Sequence, residues 1–381
     1  MDYSNKDFSN KDFSDIFTIK KEDIKVIGEG AYGCVHKPSL ECKKTKNINY
    51  KNKISKLLIK EDAVKEIEEY DIISKYDKKN KYFLGKPLHC EVKPTPSNLA
   101  AINDCENGDE FLDDIKNTQL LIMNYGGDNL EIISKDFKKM KNTKQNVDFT
   151  IKFLKEAKNI LDAVYFLNKH KILHHDLKPQ NIVYNKKTNK IKMIDFGFVT
   201  YKEKILNSSK KSMNKLSKCH WSYPLEINFY NHDKYEAFSK YTDEEKNKYY
   251  RDIVNNINIK ENDKCATAIS ILFYYIIDKK YSEIEKNNMI FKYFNDYKKM
   301  LDNISEENYK EFLKKSVDTI DLYGAGITFY LLLNSMKHLL DKSVIIKLEE
   351  LCYHMITPDL FNRYSIETSM KKYKEIIDGF R

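Results

Sequence analysis

The chain has 381 residues, 41% of them hydrophobic, enough for one large folded region with a sizeable core. Lys plus Arg number 66 against 57 Asp plus Glu, for a net charge of +9 and a pI near 8.8. That mild excess does not by itself indicate a nucleic-acid binder, and no apolar run is long enough for a membrane helix. Residues 1–20 are polar and hold a tandem repeat, Ser4-Asn5-Lys6-Asp7-Phe8 then Ser9-Asn10-Lys11-Asp12-Phe13. This composition predicts a disordered tail. The first ordered element is a glycine hairpin: Ile27-Gly28-Glu29-Gly30-Ala31-Tyr32-Gly33-Cys34-Val35, with apolar flanks at Ile24, Val26 and Val35. Glycines let backbone N–H groups come close to phosphates without a Cβ clash. A plain glycine turn is the ordinary alternative. No helix signal follows Gly33, which argues against a dinucleotide-binding turn.

A strand is expected at 54–59, carrying Lys56 on the same face as Ile54. Lys60 shares that parity near the strand end, while Lys51, Lys53 and Lys60 read as solvated charges. Val64, Ile67, Ile72 and Ile73 give residues 61–76 helical spacing among the acids Glu66, Glu68 and Glu69. Leu120 to Gly127 reads as an apolar strand running into a turn.

Residues 174–181 then read His-His-Asp-Leu-Lys-Pro-Gln-Asn, and Asp195-Phe196-Gly197 follows. Ile182-Val183-Tyr184 and Ile191-Lys192-Met193-Ile194 form two short strands joined by a polar turn. Asp176 and Asp195 are thereby expected at opposite ends of one hairpin, facing one cleft. Asp176 can orient a hydroxyl and accept its proton, a service worth ~10²–10⁴-fold. Lys178 is a compact cation suited to a phosphate. Asn181 and Asp195 offer hard oxygens suited to Mg²⁺ or Mn²⁺.

These motifs in this order resemble the eukaryotic-type protein kinase family, and Lys178 its serine/threonine branch. The resemblance implies an α+β, two-lobed fold: a small β-rich N-lobe at 21–125 and a larger helical C-lobe at 126–381. It implies ATP and a divalent metal as cofactors and protein substrates. In the glycine loop, Ile27, Gly28, Glu29, Gly30, Ala31, Tyr32, Gly33 and Val35 would surround the nucleotide. Lys56 would hold the α- and β-phosphates, with Glu69 as its carboxylate partner and Glu66 and Glu68 as close competitors. Met123 would lie behind the adenine, whose edge would meet backbone groups of Asn124, Tyr125 and Gly126. Asp176 and Lys178 are the catalytic pair, and Asn181 and Asp195 the metal ligands. Ile54 departs from the family, which usually places a small residue there.

Trp221-Ser222-Tyr223-Pro224-Leu225-Glu226 stands where the activation segment should end, and Glu226 should pair with Arg363. Asp321 should open the central helix and brace the catalytic loop. Between Glu226 and Asp321 an insertion is expected at about 231–315. It has helical character at 265–277 and 284–300. Its apolar run at 268–277 reads as a buried helix, with a partner or membrane surface as the sharper alternative.

Lys202, Lys204, Lys210, Lys211, Lys215 and Lys218 make the activation segment basic, which favours acidic substrates or is a solvated loop. Among them lie Ser208, Ser209, Ser212 and Ser217. The family's usual loop arginine is replaced by His175, so a phosphorylated segment should not be required.

Seven cysteines at irregular spacings, with no evident leader peptide, predict free thiols in a reducing intracellular compartment. Cys42, His89 and Cys90 do not complete a tetrahedral set, so no zinc is expected. The β3 Ile-Ser-Lys, the Trp-Ser-Tyr-Pro-Leu-Glu segment and the Lys, Asn, Ile and Tyr richness resemble kinases of large cytoplasmic DNA viruses. That implies host cytoplasm or virion. A catalytically weak scaffold and a small-molecule kinase are the competing functions.

Overall fold

The computed structural model describes residues 23–30, 33–43, 48–213, 220–259 and 264–380. The tail at 1–20, Ala31 and Tyr32 of the glycine loop, and Lys215, Ser217, Lys218 and Cys219 lie outside the described residues. The chain forms two compact units. One holds the described residues through Ala63 together with Pro87–Tyr125, and the other holds Val64–Lys86 and Gly126–Arg381.

The first unit is built on an antiparallel sheet of β1 (Lys25–Gly30), β2 (Gly33–Lys37), β3 (Lys53–Ile59), β4 (Leu88–Cys90) and β5 (Thr118–Asn124). The strand order is β1-β2-β3-β5-β4. Directly opposed residues in such pairs share a face. Val35 faces Lys56, Lys56 faces Leu121, and Ile54 faces Met123, so these side chains lie on one side of the sheet. Cys34, Leu57 and Leu120 lie on the other, in a core with Ala101, Ile102 and Phe111. That core is roofed by α2 (Pro96–Asn103) and α3 (Gly108–Asp113). Thr95 caps α2, its hydroxyl accepting from the Asn98 N–H, and Pro96 opens the first turn, where no donor is needed.

The expectation of free thiols is overturned in this core. Cys34 is bonded to Cys105 and Cys42 to Cys90, across 71 and 48 residues of sequence. Irregular spacing carried no sign of this, because the pairing arises only once the fold brings the Cα atoms within 6.1 and 5.7 Å. Cys352 is a buried free thiol.

Helix α1 (Lys60–Ser74) begins in the first unit and continues in the second. Lys60 therefore opens a helix rather than closing a strand, which removes its parity with Lys56. The second unit continues through β6 (Asp128–Asn129), α4 (Leu130–Lys139), α5 (Lys144–Lys169), β7 (Ile172–Leu173), β8 (Ile182–Asn185), β9 (Lys190–Met193), β10 (Thr200–Tyr201) and α6 (Lys202–Lys210). Helix α5 is capped by Thr143 and buries Phe153, Leu154, Ala157, Ile160, Leu161, Val164 and Leu167, a stripe at three- and four-residue spacing.

After Glu226 come α7 (His232–Ser239), α8 (Asp243–Ile259), α9 (Lys264–Ile276) and α10 (Glu283–Asp302), the last opened by a Ser282–Glu285 capping box. Helix α11 (Tyr309–Met336) starts twelve residues before Asp321, so Asp321 sits inside the central helix and not at its start. From Leu322 to Leu333 every residue of α11 is buried, as befits a helix packed on all sides. Helices α12 (Lys342–Ile356) and α13 (Ile366–Asp378) close the chain around it. Helix α9 buries Ala268, Ile269, Leu272, Tyr275 and Ile276 and leaves Tyr274 exposed. It is a buried helix with one wet edge. Among the described residues no helix is long and apolar enough to cross a membrane.

Candidate active site

In the second unit the candidate residues hang on a small sheet, β6-β8-β9. Strands β8 and β9 pair from Ile182–Met193 to Asn185–Lys190, and Asn185 closes the turn by accepting from the Lys187 and Thr188 N–H groups. One step outward, the Ile194 N–H donates to the Asn181 carbonyl at 2.9 Å. Asn181 and Asp195 thus flank the same open end of the hairpin. Asp176 joins them there, because the Asn181 Nδ2 donates to its backbone oxygen at 2.8 Å and its Oδ2 at 2.9 Å. The expected placement of Asp176 and Asp195 at opposite ends is corrected: the antiparallel pairing folds both back to one end.

Asp176 is buried and accepts two bonds from the Lys178 ammonium, at 2.8 and 3.1 Å. With Nδ2 committed to Asp176, Oδ1 is the atom Asn181 can offer to a metal. Together with the Asp195 carboxylate it makes a hard-oxygen donor set that fits Mg²⁺ or Mn²⁺. Asp195 and His175 both hold positive φ, 63° and 64°, conformations that cost energy and persist only where surroundings enforce them. The enforcement at His175 is visible. Asp321, from within α11, accepts from the backbone N–H of His174 at 2.8 Å and of His175 at 2.9 Å. Tyr223, which the sequence reading did not single out, donates its hydroxyl to the His175 carbonyl at 2.6 Å and stacks on the His175 ring. Gly324 allows this approach, since a Cβ there would collide with the Leu177 carbonyl.

The His174 Nε2 donates to the Ile194 carbonyl at 3.1 Å, tying the catalytic loop to the residue before Asp195. Phe196 sits in an aromatic cluster, edge-on to Tyr70 at 4.9 Å and to Phe83 at 5.1 Å, with the His174 ring at 5.3 Å. Tyr70 is on α1, and its phenol is pushed up by burial and then by the charges of Glu66 and Asp195. Burial distinguishes the three acids of that helix. Glu66 is buried, Glu69 half-buried and Glu68 exposed. Burial holds the His175 imidazole below its ordinary range, against the opposing charges of Asp321 and Asp176.

Beneath the segment end, Arg363 meets Glu226 in a bidentate pair at 2.6 and 3.1 Å, with both side chains wholly buried. Ser316 donates to the same carboxylate, and the remaining guanidinium donors reach the Thr357 carbonyl and the Thr319 hydroxyl. Lys202 is not part of a basic surface. It is buried and bonded to Asp318 and Asn168, each at 2.6 Å.

In the first unit, Lys56 shares the face of Val35, Ile54 and Met123, with Met123 half-buried. Gly28 opposes Val35, and Gly30 opposes Gly33, after a bulge at Ile27. Glu29 is directed away from that face, since it pairs with Cys34 and accepts from the Glu106 N–H at 2.6 Å. At the end of β5, the Lys53 ammonium donates to the Asn124 side chain at 2.6 Å, and the Tyr125 N–H donates to the Asn52 carbonyl at 2.8 Å. The Tyr125 N–H is thus engaged within the protein, while its carbonyl is not part of that bond. Gly126 is buried at the start of the second unit, where a Cβ would press on Val183.

A buried Asp braced by Asn and Lys, an Asp-Phe-Gly turn and a bidentate Glu–Arg clasp against the central helix are features of a protein kinase domain. The protein kinase domain model matches residues 21–221, more than half of the chain, and the chain belongs to that family. It is 48% identical over 48 residues to a probable serine/threonine-protein kinase of Dictyostelium discoideum, a stretch covering 12% of this chain and 5% of the relative. It is 24% identical over 224 residues to calcium-dependent protein kinase 4 of Plasmodium falciparum, covering 55% of this chain and 33% of the relative. The protein of the same name in Plasmodium berghei is 23% identical over 224 residues. The chain spans a third or less of the lengths of these curated relatives.

Proposed function

We propose that the chain transfers the γ-phosphoryl group of ATP to serine or threonine hydroxyls of proteins. The observation that carries this reading is Asp176, a buried carboxylate fixed by Asn181 and Lys178 in a loop braced by Asp321. Such a carboxylate orients the acceptor hydroxyl and takes its proton late in the transfer. Lys178 neutralises Asp176 in the resting protein and is placed to follow the transferred phosphoryl group. Backbone groups of Gly28, Gly30 and Gly33 cradle the phosphates, and Lys56 holds the α- and β-phosphates. Asn181 and Asp195 would hold Mg²⁺ or Mn²⁺, which supplies charge neutralisation at the phosphates. Burial supports Glu66 over Glu69 and Glu68 as the carboxylate partner of Lys56.

Lys178 supports the serine/threonine class, and Lys204, Lys210 and Lys211 support acidic substrates. A recess lined by Trp221, Tyr223, Leu225, Ala268 and Leu272 favours an apolar side chain beside the acceptor. The Lys, Asn, Ile and Tyr richness supports an origin among large DNA viruses, with action in host cytoplasm or virion.

The test is a radiolabelled ATP assay on mixed protein substrates and small-molecule acceptors, with wild type beside Asp176→Asn. Phosphoserine and phosphothreonine formed only by wild type are expected, with the variant about 10²–10⁴-fold slower. Equal incorporation by both would refute the role of Asp176. Transfer to small molecules alone, or mainly to tyrosine, would refute the substrate class.

A further inference from the structure

The glycine hairpin carries chemistry that phosphoryl transfer does not use. Cys34, beside Gly33 on β2, is bonded to Cys105 in the turn after α2. The His36 ring stands next to both sulfurs, with Nε2 3.5 Å from the Cys105 Sγ and 3.8 Å from the Cys34 Sγ. The same nitrogen lies 3.0 Å from the Ala101 carbonyl, which fixes the proton on Nε2 as a donor. His36 is fully buried and its Nδ1 has no partner. Burial holds the ring neutral, against the Ala101 bond and the charges of Asp104 and Glu29. The core therefore holds an N–H donor, engaged by the Ala101 carbonyl, directly beside a disulfide, together with a buried Nδ1 that has no partner among the described residues.

We propose that Cys34, Cys105 and His36 form a thiol–disulfide exchange site whose redox state sets how tightly the glycine hairpin binds nucleotide. A small thiolate, with glutathione as the chemical class, attacks the Sγ of Cys105, which is buried but slightly less so than Cys34, on local opening of the turn after α2. The Cys34–Cys105 bond breaks and Cys34 leaves as a thiolate, stabilised by the His36 N–H and then protonated by water. A second glutathione thiolate attacks the mixed disulfide at the glutathione sulfur and frees Cys105. Overall, one protein disulfide and two glutathiones give two protein thiols and one oxidised glutathione. Oxidised glutathione drives the reverse.

The coupling follows from the sheet. Cys34 is adjacent to Val35 on β2, and the two lie on opposite faces, the latter with Lys56. The closed bond thus anchors the hairpin from behind the face proposed to meet nucleotide. Opening it releases an ordered segment and weakens nucleotide binding by about two- to tenfold. This second step rests on the nucleotide role proposed above.

The full chain is equilibrated in glutathione buffers of graded ratio, then alkylated and mapped by mass spectrometry at Cys34, Cys105, Cys42 and Cys90. ATP affinity is measured on the same samples. The expected result is reversible opening of Cys34–Cys105 while circular dichroism stays native, with ATP binding weakening in step. His36→Phe should slow opening severalfold, and His36→Gln, which keeps an N–H donor, should restore it. Opening only together with unfolding would overturn the proposal, as would thiols at both positions in every buffer. One zinc ion retained by the reduced protein and lost in His36→Phe would assign the three residues as a metal site instead. Unchanged ATP affinity on opening would overturn the coupling. Absence of ATP binding in both states would refute the nucleotide reading while the alkylation map still decides the exchange site.

Discussion

The two units hold their chemistry by different means. In the second, candidate groups are gripped by side chains from far along the sequence: the catalytic loop by Asp321, Glu226 by Arg363, and Lys202 of α6 by Asp318. In the first, the candidate groups are set by strand register, with Lys56 placed by its pairing to Val35 and Leu121. Buried charges are unforgiving of single substitutions, because removing one partner strands the other in a poorly solvated site. Register tolerates side-chain changes, since the backbone bonds that define it remain. Substitutions in the second unit should therefore cost stability, and those in the first should cost function alone.

The largest effect should come from Arg363→Met. It leaves Glu226 buried and charged with only Ser316 as a donor, at a cost of about 3–5 kcal/mol. Urea denaturation should show a clear drop in midpoint. The contrast between the units breaks if the variant unfolds at the wild-type urea concentration. The paired replacement Glu226→Leu with Arg363→Met should recover much of the loss, since neither charge is then stranded.

Lys56→Met is the matching change in the first unit. Activity should fall about 10²–10³-fold, the usual consequence of losing one electrostatic clamp, with the urea midpoint unchanged. Lys53→Met should leave activity near wild type, because its ammonium is spent on the Asn124 side chain. Loss of activity in Lys53→Met with full activity in Lys56→Met would mean that the register has been misassigned.

The catalytic loop was legible because its functional residues lie within a few positions of one another. Asp176, Lys178 and Asn181 need only a tight turn to meet, and that turn is local. The acid of α1 was harder. Glu69 has the apolar Ile72 and Ile73 three and four positions on, whereas the buried stripe is Ala63, Glu66, Tyr70 and Ile73 at three- and four-residue steps. A carboxylate inside an apolar stripe was the available signal for which acid is buried, and Glu66 is that acid. The disulfides and the Asn52–Tyr125 bond had no local signal at all, since each joins segments that are distant in sequence and meet only in the folded unit. Lys202 looked like one more lysine in a basic segment, and only α11 turns it into a buried partner of Asp318.

That partnership sharpens the comparison at a smaller scale. Burial alone would raise the Asp318 carboxyl, but the bonds and charges of Lys202 and Lys314 outweigh it and hold it below the usual range. An acid lowered on folding stabilises above its unfolded value and loses that contribution as pH falls through its folded value. Lys202→Met should cost about 1–3 kcal/mol near pH 7. The gap to wild type should start to narrow only as pH falls below about 4, the unfolded value, and close once pH is below the lowered folded value, where Asp318 is protonated in both states. Denaturation series from pH 7 down to about pH 2 measure this, and a gap that persists unchanged at the acid end would place the cost elsewhere than in the ion pair.

The smallest effect concerns phosphorylation of the activation segment. Its usual anchor is a charged loop residue, and His175 cannot serve as one: burial keeps the ring neutral, and it is stacked on Tyr223. The candidate acceptors among the described residues are also engaged. Ser209 is fully buried in α6, the Ser208 hydroxyl donates to the Ile205 carbonyl at 3.0 Å, and Ser212 accepts from the Asp233 N–H at 3.0 Å. The segment is instead pinned by Lys202 and by the Glu226–Arg363 pair, which are charges already in place. Phosphatase treatment of bacterially expressed protein should therefore change turnover by less than about twofold, since no new charge pair is needed to order the loop. A fall of tenfold or more would show that the buried charges do not suffice, and Lys204, Lys210 and Lys211 would then be the residues to replace in search of the phosphate site.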